Sequence, residues 1–283
     1  MKIGLVTDGT CDLPGDIAAA NAICIVPHHV IWGTQVYTDG VNLSREAFYE
    51  RLARDPVLPS TAQPSAIEFV EAYRDVRNRS GADAILCLTT SRHITGAYDS
   101  ALLASSMVEF PVRVLDSNTA TVTLGLTVLA VADALKHEIS LDDAQQVAWR
   151  AAVNSRFYFT LDTLDYLHRG GRIGRAQHLI GNVLNLKPIL TIEDGSVAPL
   201  ERTRSRHQAI ARLKEIAATY ADRDMARPLR LAVVHSNAAE LEELSNALCD
   251  LLTPEQFFQT LACSPVGVYA GPNSIGFGLV FGT

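Results

Sequence analysis

The feature that most constrains the fold is a short apolar run followed directly by a hydroxyl-rich loop and a helical pattern. The run is Ala84–Leu88, the loop extends from Thr89 to Thr95, and Gly96 precedes the helix. A helix N-terminus offers free backbone N–H groups to an anion, and a glycine lets a ligand approach the backbone closely. This order of strand, loop and helix indicates an α/β protein with an anion site beyond the strand.

The same order occurs at the start of the chain and, in part, a third time. A strand over 2–6 leads into the loop 7–13, and the hydroxyl cluster 60–65 precedes a helix in which Ser65 and Glu68 fit a capping box. Three such loops predict one composite site for an oxyanion. The alternative is that these serines and threonines serve only as helix N-caps.

Strands and helices alternate through the first half of the chain. Strands are predicted near 2–6, 23–30, 84–88 and 112–115, and helices near 13–21, 44–54, 65–76, 97–108 and 119–137. This alternation predicts a mostly parallel, Rossmann-like sheet with helices on both faces. Ligands of such sheets bind beyond the carboxyl ends of the strands, where Asp8, Thr95 and Asp116 fall.

The second half has a different pattern. Apolar residues alternate with polar ones over 156–161, and 187–203 reads as a β-hairpin whose turn is Asp194-Gly195. Helices near 206–221 and 238–251 flank a strand at 229–235. The chain is therefore predicted to form two domains, an N-terminal α/β domain over 1–152 and a C-terminal α+β domain over 153–283 with a mixed or antiparallel sheet.

Composition excludes several classes of function. The 283 residues carry a net charge of −7 without a long basic run, which argues against binding to nucleic acid. The most apolar segment, Leu124 to Leu135, is shorter than the ~20 residues of a membrane span, and residues 1–8 are interpreted as a strand and not a signal peptide. Five cysteines without a C-x-x-C pair indicate reduced thiols in a cytoplasmic protein, and histidine spacing predicts no metal site.

Motifs for catalysis are absent from the sequence. It contains no G-x-S-x-G elbow and no Walker A motif. The glycines of 169–174 follow a helical stretch, whereas a dinucleotide fingerprint follows a strand, so Gly170-Gly171 is interpreted as a helix C-terminus. Ser91 and His93 leave open a small hydrolase or acyltransferase with His93 as its base. The lack of an orienting group other than Asp99 favours a binding protein with no catalytic residue.

At this point the chain resembles the DegV family, the FakB-like fatty-acid-binding proteins, over nearly its whole length. The resemblance rests on the order and spacing of several segments, which are 6–14, 37–41, 60–65, 91–101, 164–173, 186–190 and Gly271-Pro272. It implies two α/β domains with a long-chain fatty acid bound between them and no cofactor. It also implies that a separate ATP-dependent fatty acid kinase converts the presented acid to an acyl phosphate, with at most transient membrane contact. A lipid-responsive regulator is the remaining alternative.

The resemblance also implies which residues hold the carboxylate. Carried over by motif, they are Thr61, Thr95 and the backbone of Gly96, with Tyr269 beside them. The chain departs from the family pattern at three places. Thr95-Gly96-Ala97-Tyr98 stands where S-G-T-Y is usual, Ala62 replaces the serine of T-S-Q-P-S, and Tyr269 replaces the histidine of H-x-G-P.

Arginines near the hairpin form the last prediction. Arg202, Arg204 and Arg206 alternate along the end of the second hairpin strand, so as strand residues they would share one face. Together with Arg172 in the Gly-Gly turn, they are predicted to dock the kinase, because the planar guanidinium pairs well with carboxylates and phosphates. The alternative is that these arginines are solvated surface charges.

Overall fold

A computed structural model describes residues 1–179, 186–221 and 229–282. Within these residues the strands are Ile3–Asp8 (β1), Ile23–Val26 (β2), His29–Trp32 (β3), Gln35–Thr38 (β4), Ser60–Ala62 (β5), Ala84–Thr89 (β6), Val112–Asp116 (β7), Ser155–Thr160 (β8), Lys187–Glu193 (β9), Ser196–Thr203 (β10), Leu229–His235 (β11), Gln256–Leu261 (β12) and Ile275–Phe281 (β13). The helices are Gly15–Ala20 (α1), Arg45–Leu52 (α2), Ala66–Ser80 (α3), Ala97–Ser105 (α4), Val122–Leu135 (α5), Leu141–Val153 (α6), Asp165–Arg169 (α7), Arg206–Ala218 (α8), Leu241–Leu252 (α9) and Ser264–Ala270 (α10).

The predicted parallel sheet is confirmed. Its order is β2-β1-β6-β7, and every neighbouring pair runs parallel. Alternate residues of a strand face opposite sides, so Leu86 joins the core cluster that contains α5, whereas Ile85 packs with α3 and α4. The sheet is therefore covered by helices on both faces, and its carboxyl ends carry the loops after Asp8 and Thr89.

A second sheet of six strands has the order β10-β9-β8-β13-β11-β12. All neighbours in it are antiparallel except β11 and β12. Helices α8 and α9 cover one face through the cluster that includes Leu213, Leu248 and Phe277. The predicted hairpin is confirmed, and its two turn residues, Asp194 and Gly195, both have positive φ, as a type I′ turn requires.

Helix α5 lies between the two large sheets. It contacts β1 and β6 on one side and β11 and β13 on the other, and residues 122–132 are all buried. A helix that is apolar around its whole circumference suits such a central position. Among the described residues, no helix has the length and hydropathy needed to cross a bilayer.

One predicted strand is wrong. The apolar run 23–30 forms two strands in different sheets, because Pro27 has no N–H for a ladder and interrupts the run. Strand β2 stays in the parallel sheet, whereas β3 pairs antiparallel with β4 and β5 in a small third sheet. Helices α6 and α10 and strands β5 and β12 were not predicted. One core cluster includes residues of both halves, and the division into two domains stays a prediction.

Candidate functional site

A cavity opens where the carboxyl ends of β1 and β6 face the six-stranded sheet. The empty space in the cavity and at its open mouth together is about 970 Å³. Most of its wall is apolar and includes Phe157, Phe159, Leu167, Ile192, Val197, Val234, Ala262, Val266 and Ile275. Its polar residues are Thr10, His28, Thr61, Gln63, Thr90, Thr95, Thr121, Arg172, Tyr269 and Ser274. The structure thus brings the three predicted hydroxyl loops to one cavity.

Thr95 lies at the start of helix α4. The N-cap is Gly96, and no side chain caps the helix, so its first N–H groups remain available for a ligand. A Cβ on Gly96 would lie 2.8 Å from Nε2 of Gln63, so any other residue at this position would displace that carboxamide. Gln63 is a cavity residue that the sequence prediction missed, although it belongs to the quoted loop 60–65.

Thr61 and Tyr269 meet across the mouth of the cavity. The Thr61 hydroxyl on β5 and the Tyr269 hydroxyl on α10 are 2.6 Å apart and share a hydrogen bond. The tyrosine ring lies against Gly170, where a Cβ would be 2.2 Å from the ring. Of the site residues that the resemblance implied, Thr61, Thr95 and Tyr269 line one cavity and Gly96 follows Thr95 in the chain, and their role as carboxylate ligands stays a prediction.

Arg172 lies at the same mouth. Its guanidinium is 4.9 Å from the centroid of the Tyr269 ring, and it donates to the carbonyl of Ile94 at 3.2 Å and to that of Gly170 at 2.8 Å. The side chain is exposed but contributes to the cavity wall. The structure therefore places a positive charge beside the polar end of the cavity.

Arg202 and Arg204 are exposed and lie elsewhere. The prediction that they share a strand face with Arg206 is wrong, because β10 ends at Thr203 and Arg206 begins α8, paired with Glu240 at 3.0 Å. Val197 is the residue of β10 that lines the cavity, and Arg202 is roughly 15 Å farther along the strand. Arg172 therefore contributes to the cavity wall, and the docking role of Arg172, Arg202 and Arg204 stays a prediction.

Behind Thr95 lies His28, which the sequence prediction did not include. Nε2 of His28 is 3.2 Å from Oγ1 of Thr95, and Nδ1 is 3.9 Å from Oδ1 of Asp8. The imidazole is only 3% exposed, and burial lowers its pKa, which keeps the ring neutral near pH 7. The neighbourhood of His28 arises from residues far apart in sequence, so no local motif marks it.

Asp8 organises the loops after β1 and β6. Oδ1 accepts hydrogen bonds from the backbone N–H and the hydroxyl of Thr10 at 2.9 and 2.5 Å, and Oδ2 accepts from the N–H of Thr90 at 2.6 Å. The hydroxyls of Thr10 and Thr90 are themselves 2.6 Å apart. Asp8 therefore fixes these two threonines at the cavity wall. Asp116 lies at the carboxyl end of β7, at the predicted edge of the parallel sheet, but it lines a separate groove.

The geometry does not support His93 as a catalytic base. The buried hydroxyl of Ser91 accepts a hydrogen bond from the backbone N–H of His93 at 3.2 Å, and the His93 side chain is exposed. Across the described residues, no group of three or more His, Cys, Asp or Glu side chains is arranged to hold a metal ion. All five cysteines are free.

A buried ionic cluster joins the two halves near the cavity. Asp12 accepts a hydrogen bond from the N–H of Cys263 at 2.7 Å, and Asp39 accepts one from Ser264 at 2.9 Å, at the start of α10. Arg45 is 3.9 Å from Asp12. Burial raises the pKa of Asp12 to about 6, although Arg45 and the Cys263 N–H oppose the shift.

The chain is similar to known proteins over nearly its whole length. A family model described as "Uncharacterised protein, DegV family" matches residues 2–282. A DegV domain-containing protein of Streptomyces coelicolor is 36% identical over 283 residues, which is 97% of this chain and 96% of that protein.

Solved structures show the same fold. A fatty-acid-binding DegV family protein from Thermus thermophilus superposes with a TM-score of 0.91 at 29% identity, over 99% of this chain and all of the other. A stearic-acid-binding protein from Eubacterium ventriosum superposes with a TM-score of 0.90 at 27% identity, over 99% of this chain and 98% of the other.

Proposed function

The chain belongs to the DegV family, and from this premise we propose that it binds a long-chain fatty acid non-covalently in the cavity between its two large sheets. The relatives from Thermus thermophilus and Eubacterium ventriosum are fatty-acid-binding proteins. The observation that carries the proposal is a cavity with a mostly apolar wall, in which Thr61, Thr95, Arg172 and Tyr269 form a polar end beside the start of α4. Burial of an acyl chain contributes roughly 0.8 kcal/mol per CH₂, so a long chain is retained without a covalent bond.

The polar end suits a carboxylate. A carboxylate removed from water needs hydrogen bonds or a counter-charge. The Thr95 hydroxyl and the free N–H groups of α4 supply donors, the Thr61–Tyr269 pair supplies another hydroxyl, and Arg172 supplies a positive charge at the mouth. We assign these groups to the head group and Phe157, Phe159 and their neighbours to the chain.

The finer proposal is that this protein presents the bound acid to a separate fatty acid kinase. The kinase would transfer the terminal phosphate of ATP to the carboxylate, giving an acyl phosphate, and this chain would supply no catalytic group and no cofactor. Arg202 and Arg204 are exposed cations on an acidic protein, which suits docking to an acidic partner surface. Five free thiols suit a cytoplasmic setting for this exchange.

A hydrolase is the second candidate, because the Thr95 hydroxyl lies within hydrogen-bond distance of His28. A hydroxyl nucleophile needs a base that a third group orients. The 3.9 Å between Nδ1 of His28 and Oδ1 of Asp8 exceeds hydrogen-bond length, and Asp8 already binds Thr10 and Thr90. We therefore favour a carrier.

The test is to identify what the purified protein carries. Denaturing extraction followed by mass spectrometry is expected to release close to one free long-chain fatty acid per chain. Protein stripped of lipid is expected to rebind palmitate, and the bound acid is expected to stay extractable without hydrolysis of any bond. A preparation that neither contains nor rebinds a fatty acid would show that the proposal is wrong.

A further inference from the structure

His28 lies directly behind the residue that we assign to the carboxylate. Its ring is 97% shielded from solvent, lines the cavity, and places Nε2 3.2 Å from the Thr95 hydroxyl oxygen. On the other side, Nδ1 faces the carboxylate of Asp8 at 3.9 Å. Among the described residues Nδ1 has no hydrogen-bond partner. The ring therefore stands between an anion and the hydroxyl of the head-group site.

The number of protons on the His28 ring decides which of its two neighbours can receive a hydrogen bond from it. A neutral imidazole carries one N–H. With the proton on Nδ1, it points toward Asp8, and Nε2 then accepts the only O–H of Thr95, which leaves none for a ligand. With the proton on Nε2, Thr95 is free to donate outward, but the Nδ1 lone pair faces the Asp8 carboxylate. Only the doubly protonated ring can direct Nδ1–H at Asp8 and donate Nε2–H to the Thr95 oxygen. The Thr95 O–H is then left to donate to an anionic head group.

We propose that His28 is a positioning residue that takes up one proton from solvent when a fatty-acid carboxylate binds at Thr95. The inference rests on the proposed fatty-acid function and adds a link between head-group binding and pH. The imidazolium would point Nδ1–H at Asp8 and Nε2–H at the Thr95 oxygen, so the hydroxyl hydrogen points at the ligand. The positive charge of the imidazolium then stabilises the buried carboxylate of the ligand through the Thr95 hydroxyl that lies between them.

The charges around His28 favour this uptake. Asp8 faces it from the end of β1, Asp39 from the turn after β4, and Glu68 from α3. His29 opposes the uptake, and it is paired with Glu68 at 2.9 Å. Burial lowers the pKa of His28, and an additional anion at Thr95 raises that pKa, so the proton is taken up on binding and not before.

Calorimetric titration with monomeric laurate tests the inference. A free carboxyl with an ordinary pKa stays ionised above pH 6, so proton uptake at pH 7 belongs to the complex. Binding enthalpies in phosphate and in Tris give the number of protons taken up. His28→Gln keeps an amide donor toward Thr95 but does not titrate, and His29→Gln is the matched control at the neighbouring position.

We expect uptake approaching one proton per laurate for wild type and for His29→Gln, and none for His28→Gln. Wild-type affinity should rise by up to about tenfold for each pH unit lowered between pH 8 and 6, and the His28→Gln profile should be flat. In NMR, the His28 ring nitrogens should report an imidazolium only when laurate is bound. This readout does not depend on a variant.

Two results overturn the inference. One is laurate binding by wild type without proton uptake and with a neutral His28 ring. The other is uptake that persists in His28→Gln, which would assign the proton to the ligand or to another group. Failure of wild type to bind laurate or any longer fatty acid is a different outcome, because it contradicts the proposed function itself.

Discussion

Replacing Thr95 with valine removes one hydroxyl and keeps nearly the same shape, so it isolates what that hydroxyl contributes. In the bound state it removes a hydrogen bond to a charged carboxylate, which contributes about 1.5–3 kcal/mol. Since about 1.4 kcal/mol is a factor of ten, we expect fatty-acid affinity to fall roughly 10- to 150-fold. Displacement of a fluorescent fatty acid measures this loss.

The same substitution has a second effect that can be measured separately. The Thr95 hydroxyl is 3.2 Å from buried Nε2 of His28, and valine leaves that nitrogen without a partner. An unsatisfied buried polar group costs about 1–3 kcal/mol, so the free energy of unfolding in urea should fall by this amount. The loss occurs with and without ligand and therefore does not account for weaker binding.

Two control variants test whether the loss of affinity comes from the Thr95 hydroxyl itself. Thr95→Ser keeps the hydroxyl and should bind within a few-fold of wild type. Thr61→Val should weaken binding less than Thr95→Val, because the Thr61 hydroxyl already shares its hydrogen bond with Tyr269 at 2.6 Å. If Thr95→Val binds fatty acid within twofold of wild type, the assignment of Thr95 to the head group is wrong.

Three further predictions follow from the site and the buried cluster. Because folding raises the pKa of Asp12 from 3.8 to about 6, the folded state binds more protons than the unfolded state in this window. Relative to Asp12→Asn, the free energy of unfolding of wild type in urea should therefore fall by about 2 kcal/mol from pH 4 to pH 7, and parallel pH profiles of the two proteins would refute it. Arg172→Ala should weaken fatty-acid binding, whereas Arg204→Ala should leave binding intact. Arg204→Ala should instead slow acyl-phosphate formation by a fatty acid kinase, most at low salt. Equal losses of binding in the two variants would contradict the assignment of Arg172 to the ligand and Arg204 to docking. Wild type should hydrolyse p-nitrophenyl butyrate no faster than His93→Ala or His28→Gln, and turnover that is lost in either variant would favour a hydrolase.

Local patterns predicted the framework of the fold well. The apolar run 84–88 and the hydroxyl loop after it gave the central strand β6 and the start of α4, because both signals lie within a few consecutive residues. The Asp194-Gly195 turn gave the hairpin for the same reason. The prediction of a single strand over 23–30 was wrong, because it followed the apolar residues and neglected that Pro27 cannot donate a hydrogen bond to a ladder.

The site was only partly predictable, since its contacts join distant parts of the chain. Thr61 and Thr95 were marked by hydroxyl-rich loops before helices. No local sequence pattern indicates that His28 belongs to the site, because its place there depends on contacts with Asp8 and with Thr95, which is 67 positions away. Arg172 was assigned to docking from its place in the Gly-Gly turn, its charge and the family resemblance, and only the packing of its guanidinium against Tyr269 places it at the cavity.

The position of β13 has a consequence for synthesis on the ribosome. It follows every other strand of the six-stranded sheet in sequence but lies between β8 and β11 in space. About 120 residues separate the start of β8 from β13, which takes roughly 6–24 s at 5–20 residues per second. Until β13 is made, β8 and later β11 each keep an unpaired edge on the side that β13 will occupy. Ile275 and Gly276 of β13 also line the cavity, so the pocket is completed last, and the growing chain has no finished site in which to capture lipid.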